Sequence, residues 1–195
     1  MPKVVDREKR RAEVAEAAWR VVERVGIRAA TLRDIAEEMG MTKGALAHYF
    51  QSKQQLVAFA FEHGVTRVFE RMEAMTRVAS PGVDRLRIAL ELMTPAHFDL
   101  DAASAAALTF WAYATDDKLL ADVHLRNYAT WRTRIRGFLE EAKTRGQLRA
   151  ATDVALETTA LIALVDGTLV GSVLEPDQYT NPRILEILDH ALSRL

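Results

Sequence analysis

Three helix-start signals crowd into residues 31–56, and they leave room for little but short helices in tight succession. Thr31-Leu-Arg-Asp34 is a capping box with Asp in place of Glu or Gln. Leu32, Ile35, Ala36 and Met39 follow at helical spacing, and Gly40 supplies a left-handed stop. Only Met41 then separates Gly40 from Thr42, which can cap a second helix running through Phe50. Ser52-Lys-Gln-Gln55 is a capping box in its full form. It opens a long helix whose apolar face includes Leu56, Phe59, Ala60, Val65, Val68, Phe69 and Met72. Two short helices joined across Gly40-Met41-Thr42 make a helix-turn-helix unit.

The helical period continues on both sides. Val14, Ala18, Val21, Val22 and Val25 share one face of a preceding helix, capped by Asp6 and stopped by Gly26. Downstream, Ser80-Pro81-Gly82 breaks the chain and Asp84 caps a helix to about Met93. Thr94-Pro95 breaks it again, and Asp101 caps an Ala-rich helix through about Tyr113. Residues 117–145 form a long amphipathic helix ended by Gly146. Thr152 or Asp153 starts an apolar helix to about Leu174, and Asn181-Pro182 is a cap and first helical position for the last one. No strand-like alternation of useful length interrupts this pattern, so the fold class is all-α.

Composition removes several functions. The absence of Cys excludes disulfides, a thiol nucleophile and a cysteine zinc site. No glycine-rich phosphate loop and no Gly-x-Ser-x-Gly elbow occurs. His97, Asp99 and Asp101, and Asp116, Asp117 and His124, are only loose clusters of metal-ligand type, so neither an enzyme nor a metal or cofactor is expected. No apolar run approaches the roughly 18 residues of a membrane span, and no apolar stretch follows the charged N-terminus, so the expected location is the cytoplasm. The net charge of −1 hides a gradient: residues 1–57 carry +3 and the remainder −4. A basic head suits a polyanion.

Four features of the hairpin suit DNA. Gly40 allows the sharp turn between the helices. Gly44 and Ala45 are small, so the second helix can approach base edges, with the Ala45 methyl near a thymine methyl. Thr31, Thr42 and Ser52 cap helix starts whose free N–H groups suit phosphate. Lys43, His48, Tyr49 and Lys53 add donors along the same edge. Helical hairpins with Gly in the turn also occur in proteins that never touch DNA, and spacing alone does not separate the two cases.

The residues themselves say more. Residues 31–56 carry Ile35-Ala36, Gly40, Lys43-Gly44, Leu46, Tyr49-Phe50, Ser52-Lys53 and Leu56. In that spacing they resemble the DNA-binding domain of TetR-family transcriptional regulators, as do Ala17-Ala18 and Val25-Gly26 before them. The resemblance implies an N-terminal three-helix DNA-binding domain, residues 1–51, and a helical effector-binding and dimerisation domain, residues 52–195. Trp111, Asp166-Gly167 and Glu175-Pro176 resemble the branch that contains the choline-responsive betaine regulators. The implied function is a sequence-specific transcriptional regulator, a repressor released from a palindromic operator by a small molecule. The alternative is a DNA-binding structural protein without an effector.

Carried over by residue, Thr31 and Arg33 contact phosphate, and Thr42, Lys43, Gly44 and Ala45 face the major groove. His48 and Tyr49 flank the groove on the backbone, and Lys53 neutralises another phosphate. Ala47 stands where the family often has an aromatic residue, which removes one backbone contact. Lys3, Arg7, Lys9, Arg10 and Arg11 form either a DNA-touching arm or a solvated end.

A two-fold operator implies a homodimer. The interface candidates are Leu161, Leu164, Gly167, Thr168, Gly171, Ile184, Ile187 and Leu188, with the two glycines four apart on one helix face. The effector-pocket candidates are Phe59, His63, Phe110, Trp111, Asn127, Tyr128, Trp131 and Asp166. Rings with a carboxylate suit a quaternary ammonium group, while aromatics at helical spacing also build ordinary cores.

Overall fold

The computed structural model describes residues 2–97 and 101–195, with backbone alone for residues 2–8, 23, 27, 28 and 101–103. Phe98 to Leu100, the Asp6 and Asp101 caps, and the Lys3 and Arg7 side chains therefore lie outside what is described. Among the described residues there are nine α-helices, one 3₁₀ turn and no strand.

The helices are α1 (Pro2–Ala29), α2 (Leu32–Glu38), α3 (Lys43–Ala47), α4 (Lys53–Val78), α5 (Val83–Glu91), α6 (Asp101–Ala114), α7 (Lys118–Thr144), α8 (Val154–Leu174) and α9 (Asn181–Leu192). The 3₁₀ turn is Pro95–His97. Two compact units emerge. One comprises residues 1–66 and 106–125, the other residues 67–105 and 126–195.

In the first unit the local signals act as the sequence suggests. Thr31 Oγ1 accepts the Asp34 N–H at 3.2 Å, and an Asp34 oxygen accepts the Thr31 N–H at 2.8 Å. These bonds close the box that starts α2; the Thr31 hydroxyl, which donates to the Asp34 carboxylate at 2.7 Å, and then the Thr31 N–H hold that carboxyl below its usual range. Gly40 sits at φ 62°, its N–H bonds Glu37 O, and the Met41 N–H bonds Ala36 O. This pairing satisfies the last carbonyls of α2 and turns the chain into α3. Thr42 caps α3 by accepting the Ala45 N–H at 3.2 Å, a bond worth about 1 kcal/mol.

The core behind the hairpin gathers Val14, Ala18, Val21, Ile35, Leu46, Phe50 and Leu56. Leu46 and Leu56 are fully buried. A second cluster joins Ala58, Phe110, Leu120 and Val123.

In the second unit α9 packs on α5 and on the 3₁₀ turn. Arg87 Nε reaches Asp189 at 2.8 Å, tying α5 to α9. Arg85 reaches Glu141 at 3.1 Å, and Glu141 also accepts the Gly82 N–H. Met72, Leu86, Trp131, Ile135, Leu139 and Ile184 are buried there.

Several boundaries differ from the sequence expectation. α1 starts at Pro2, so Asp6 lies inside it; Pro fits a helix's first position. α3 ends at Ala47 rather than Phe50, because His48 and Tyr49 turn tightly back on Ala45 and Leu46 and send the Phe50 ring inward. α5 begins after Gly82, at φ 95°, with Asp84 inside its first turn, and it ends at Glu91. Asp153 rather than Thr152 caps α8, through the Ala155 and Leu156 N–H groups. Thr180 precedes α9, so Asn181 is the first helical residue and Pro182 the second.

α8 is long and apolar enough to cross a membrane by length and composition, with a third of that stretch buried within the chain. Glu157 and Asp166 interrupt it.

Candidate functional site

The hairpin presents one compact face. Thr42, Lys43, Gly44, Ala47 and His48 are exposed, Ala45 is partly so, and Leu46 and Phe50 point the other way into the core. That arrangement fixes the helix from behind and leaves a small-residue front with two long donors, Lys43 and His48. Such a helix start can lie close to base edges, since Gly44 and Ala47 project little.

Arg33 is four-fifths exposed and pairs with Glu37 at 2.9 Å; the pair keeps its guanidinium firmly protonated. Thr31 is exposed, with its hydroxyl already engaged by Asp34. Tyr49 is half-buried against the hairpin core. Lys53 is less open than a phosphate-binding lysine need be. Burial pulls its ammonium below the usual range, opposed by attraction to Asp34. It borders a small apolar void of about 20 Å³ near Trp19, Ile35, Phe61 and Phe110. That void has room for about one water and is too small for an organic effector.

The pocket candidates fall into separate groups. Phe59 stacks with His63 at 6.3 Å between centroids. Phe110 lies flat on Phe61 at 3.7 Å, and Trp111 meets His124 edge-on at 6.4 Å. In the second unit the Tyr128 hydroxyl donates to Asp166 Oδ1 at 2.7 Å. Burial raises the Asp166 carboxyl above the usual range, against the opposing pull of Tyr128 and of Arg132. Burial and the adjacent Asp166 charge also push the Tyr128 phenol up. No ion pair reaches Asp166 among the described residues. Trp131 is almost fully buried near Phe69, and among the described residues its Nε1 and the Asn127 Nδ2 have no acceptor. Among the described residues, no three metal-ligating side chains converge; Asp99 and the Asp101 side chain lie outside that set.

The interface candidates divide by exposure. Leu161, Thr168, Ile184 and Leu188 are buried within the chain, and Leu164 and Ile187 are half-buried. The four buried side chains have little area left to offer a partner, while Leu164 and Ile187 keep part of theirs. Gly167 is exposed, whereas Gly171 is covered by its own chain: a Cβ there would fall 2.5 Å from the Tyr179 ring. The outward face of α8 instead carries Leu156, Ala160, Ala163, Gly167, Val170 and Leu174, spaced four, three, four, three, four. Leu156 and Leu174 are 64% and 70% exposed.

A helix-turn-helix with an exposed small-residue helix start, in an all-helical chain, is an arrangement that suits a DNA-binding regulator. Comparison with known proteins narrows the class. Residues 14–59 match the N-terminal domain of bacterial regulatory proteins of the tetR family. Residues 82–195 match the C-terminal domain of BetI-type transcriptional repressors. The HTH-type transcriptional regulator PksA of Bacillus subtilis is 33% identical over 96% of this chain and 90% of its own. BetI of Burkholderia mallei is 27% identical over 100% and 97%. Among solved structures, a transcriptional regulator of Saccharomonospora viridis in complex with choline superposes with a TM-score of 0.87, at 23% identity over 95% and 96%. A regulator from Pseudomonas aeruginosa PAO1 gives a TM-score of 0.79 at 27% identity over 95% and 89%. The chain belongs to the TetR family of transcriptional regulators and carries a BetI-type C-terminal domain. It is a DNA-binding regulator of a family whose members are not enzymes.

Proposed function

We propose that the protein is a homodimeric, cytoplasmic repressor that holds a palindromic operator and releases it on binding a small organic cation. The observation that carries the effector class is Asp166. Its carboxylate is half-buried and raised by desolvation, and among the described residues its one hydrogen-bond partner is a phenol rather than a cation. Arg132 acts on that carboxylate only at a distance, with no ion pair between them among the described residues; a half-buried anion so partly compensated is costly, and a ligand cation relieves that cost. The Tyr128 ring, already 5.8 Å from the Arg132 guanidinium carbon, is a face of the kind that attracts a cation. The acceptor-less Asn127 and Trp131 nitrogens suit an oxygen on the effector. The fold shared with a choline-bound regulator supports this class.

Thr42, Lys43, Gly44, Ala45 and His48 face the groove in this reading, with Thr31, Arg33, Tyr49 and Lys53 toward phosphates. The outward strip of α8 seats the second copy. α4 is the lever, since Lys53 opens it and its residues belong partly to the first unit and partly to the second. The effector shifts the population toward a form that binds DNA less well. Linkage requires that choline and operator weaken each other's binding by the same factor. Titrating each against the protein, with and without the other, tests this; independent binding refutes it.

A further inference from the structure

Arg11 is the side chain that the DNA-binding reading leaves unexplained. Its guanidinium carbon lies 5.1 Å from the Phe50 ring centroid and 4.5 Å from that of Phe59. The two rings are themselves 5.4 Å apart and tilted by 53°. Arg11 Nε is sealed from solvent without an acceptor, and no ion pair reaches Arg11 among the described residues. Other arginines of α1 behave differently: Arg10 pairs with Glu13, and Arg20 and Arg24 both pair with Glu38. A guanidinium whose Nε gives up a hydrogen bond while its plane lies near two aromatic rings is held by those rings. It is not a free arm.

The rings it grips sit at a meaningful place. Phe50 closes the turn that carries His48 and Tyr49, and it is 1% exposed. Phe59 belongs to α4, one turn before the His63 it stacks on. We propose that Arg11 is a positioning residue for DNA binding, its guanidinium joining α1, the end of the recognition hairpin and α4 into one rigid corner. The proposal rests on the assignment of His48 and Tyr49 to the DNA face. A planar cation fills the angle between the two rings, whereas a lysine ammonium is compact and strongly hydrated and does not.

The test uses the DNA fragment that the wild-type protein selects from a random-sequence pool, with no effector added. R11K keeps the charge and loses the plane; R11M loses both; F59L removes one ring and keeps the guanidinium. R11K and F59L are expected to weaken binding about tenfold at temperatures where circular dichroism shows them folded. The slope of log affinity against log salt stays that of the wild type. A merely structural role would lower the melting temperature and leave affinity in the folded protein unchanged. The proposal is overturned if R11K binds as tightly as wild type. It is equally overturned if R11M alone loses affinity together with about 0.9 of the salt slope, the mark of a single phosphate contact. Should R11K fail to fold, F59L decides: wild-type affinity in F59L refutes the idea. If the wild type selects no fragment, the DNA reading fails and this inference with it. A selecting wild type matched by R11K removes the inference alone.

Discussion

Replacing Gly171 by alanine isolates one contact whose size can be worked out in advance. An added Cβ would lie 2.5 to 2.6 Å from three carbons of the Tyr179 ring, so the ring must retreat by about 1 Å to reach ordinary contact. The backbone that carries the ring is tied to the end of α8. The Tyr179 N–H bonds Glu175 O at 3.1 Å, and the Glu175 N–H bonds Gly171 O at 2.7 Å. Overpacking of this kind costs about 1–3 kcal/mol. The better helix propensity of Ala returns about 1 kcal/mol. The net loss is about 1 kcal/mol, or about 2–4 °C in melting temperature for a chain of this size. With Tyr179→Ala in the background the clash disappears, and G171A should become stabilising by about 1 kcal/mol. The assay is urea unfolding of the four proteins at one fixed concentration, analysed as a double-mutant cycle. A G171A effect of the same sign and size in both backgrounds would refute the contact.

Further expectations follow from the interface, the effector site and the body. Ala163→Arg places a like charge from each copy at the centre of the α8 strip. A buried unpaired charge costs about 2–5 kcal/mol, so dimerisation should weaken at least thirtyfold; sedimentation equilibrium at the wild-type constant would remove α8 as the seam. Choline binding requires the ionised form of Asp166. Because that carboxyl is raised above 3.8, affinity should begin to fall at a higher pH than for an ordinary carboxylate. D166N should bind at least tenfold more weakly with that pH step gone; calorimetric titration at several pH values decides, and a D166N profile like the wild type's contradicts the role. Burial and Arg71 hold the His97 imidazole below 6.5. The unfolded chain therefore takes up its proton first, and stability should fall as pH drops from about 6.5 to the folded value and then level off. H97Q should lack this step, and urea midpoints at pH 7.5 and 5.5 measure it; an unaltered pH dependence in H97Q would exclude His97 as its source.

What was legible in the sequence was local. The Thr31, Thr42 and Ser52 caps and the Gly40 stop depend on residues three or four apart, and each forms as expected. Gln55 reaches one residue further than the box requires, accepting the Gln51 N–H. Arg11 was legible in principle: it precedes Val14, Ala15 and Ala18 by three, four and seven, which places it on the inward stripe of α1. Its charge class pointed instead to solvent or phosphate. The α8 glycines were harder, because apolar residues surround that helix and periodicity then assigns no inward face. Exposure separated Gly167 from Gly171, and the cause, Tyr179, lies outside the helix. The pairs Tyr128–Asp166, Arg85–Glu141 and Arg87–Asp189 span 38, 56 and 102 residues, distances over which spacing carries no information.

In the proposed function α3 and its flanks read DNA. The most direct measurement is to sequence the DNA retained by the wild-type protein from a random pool, beside a K43A/H48A double variant. The expected result is one enriched sequence with two half-sites related by two-fold symmetry, bound by the double variant at least tenfold more weakly. Retained DNA with no common sequence, or the same sequence bound equally well by the double variant, would contradict it.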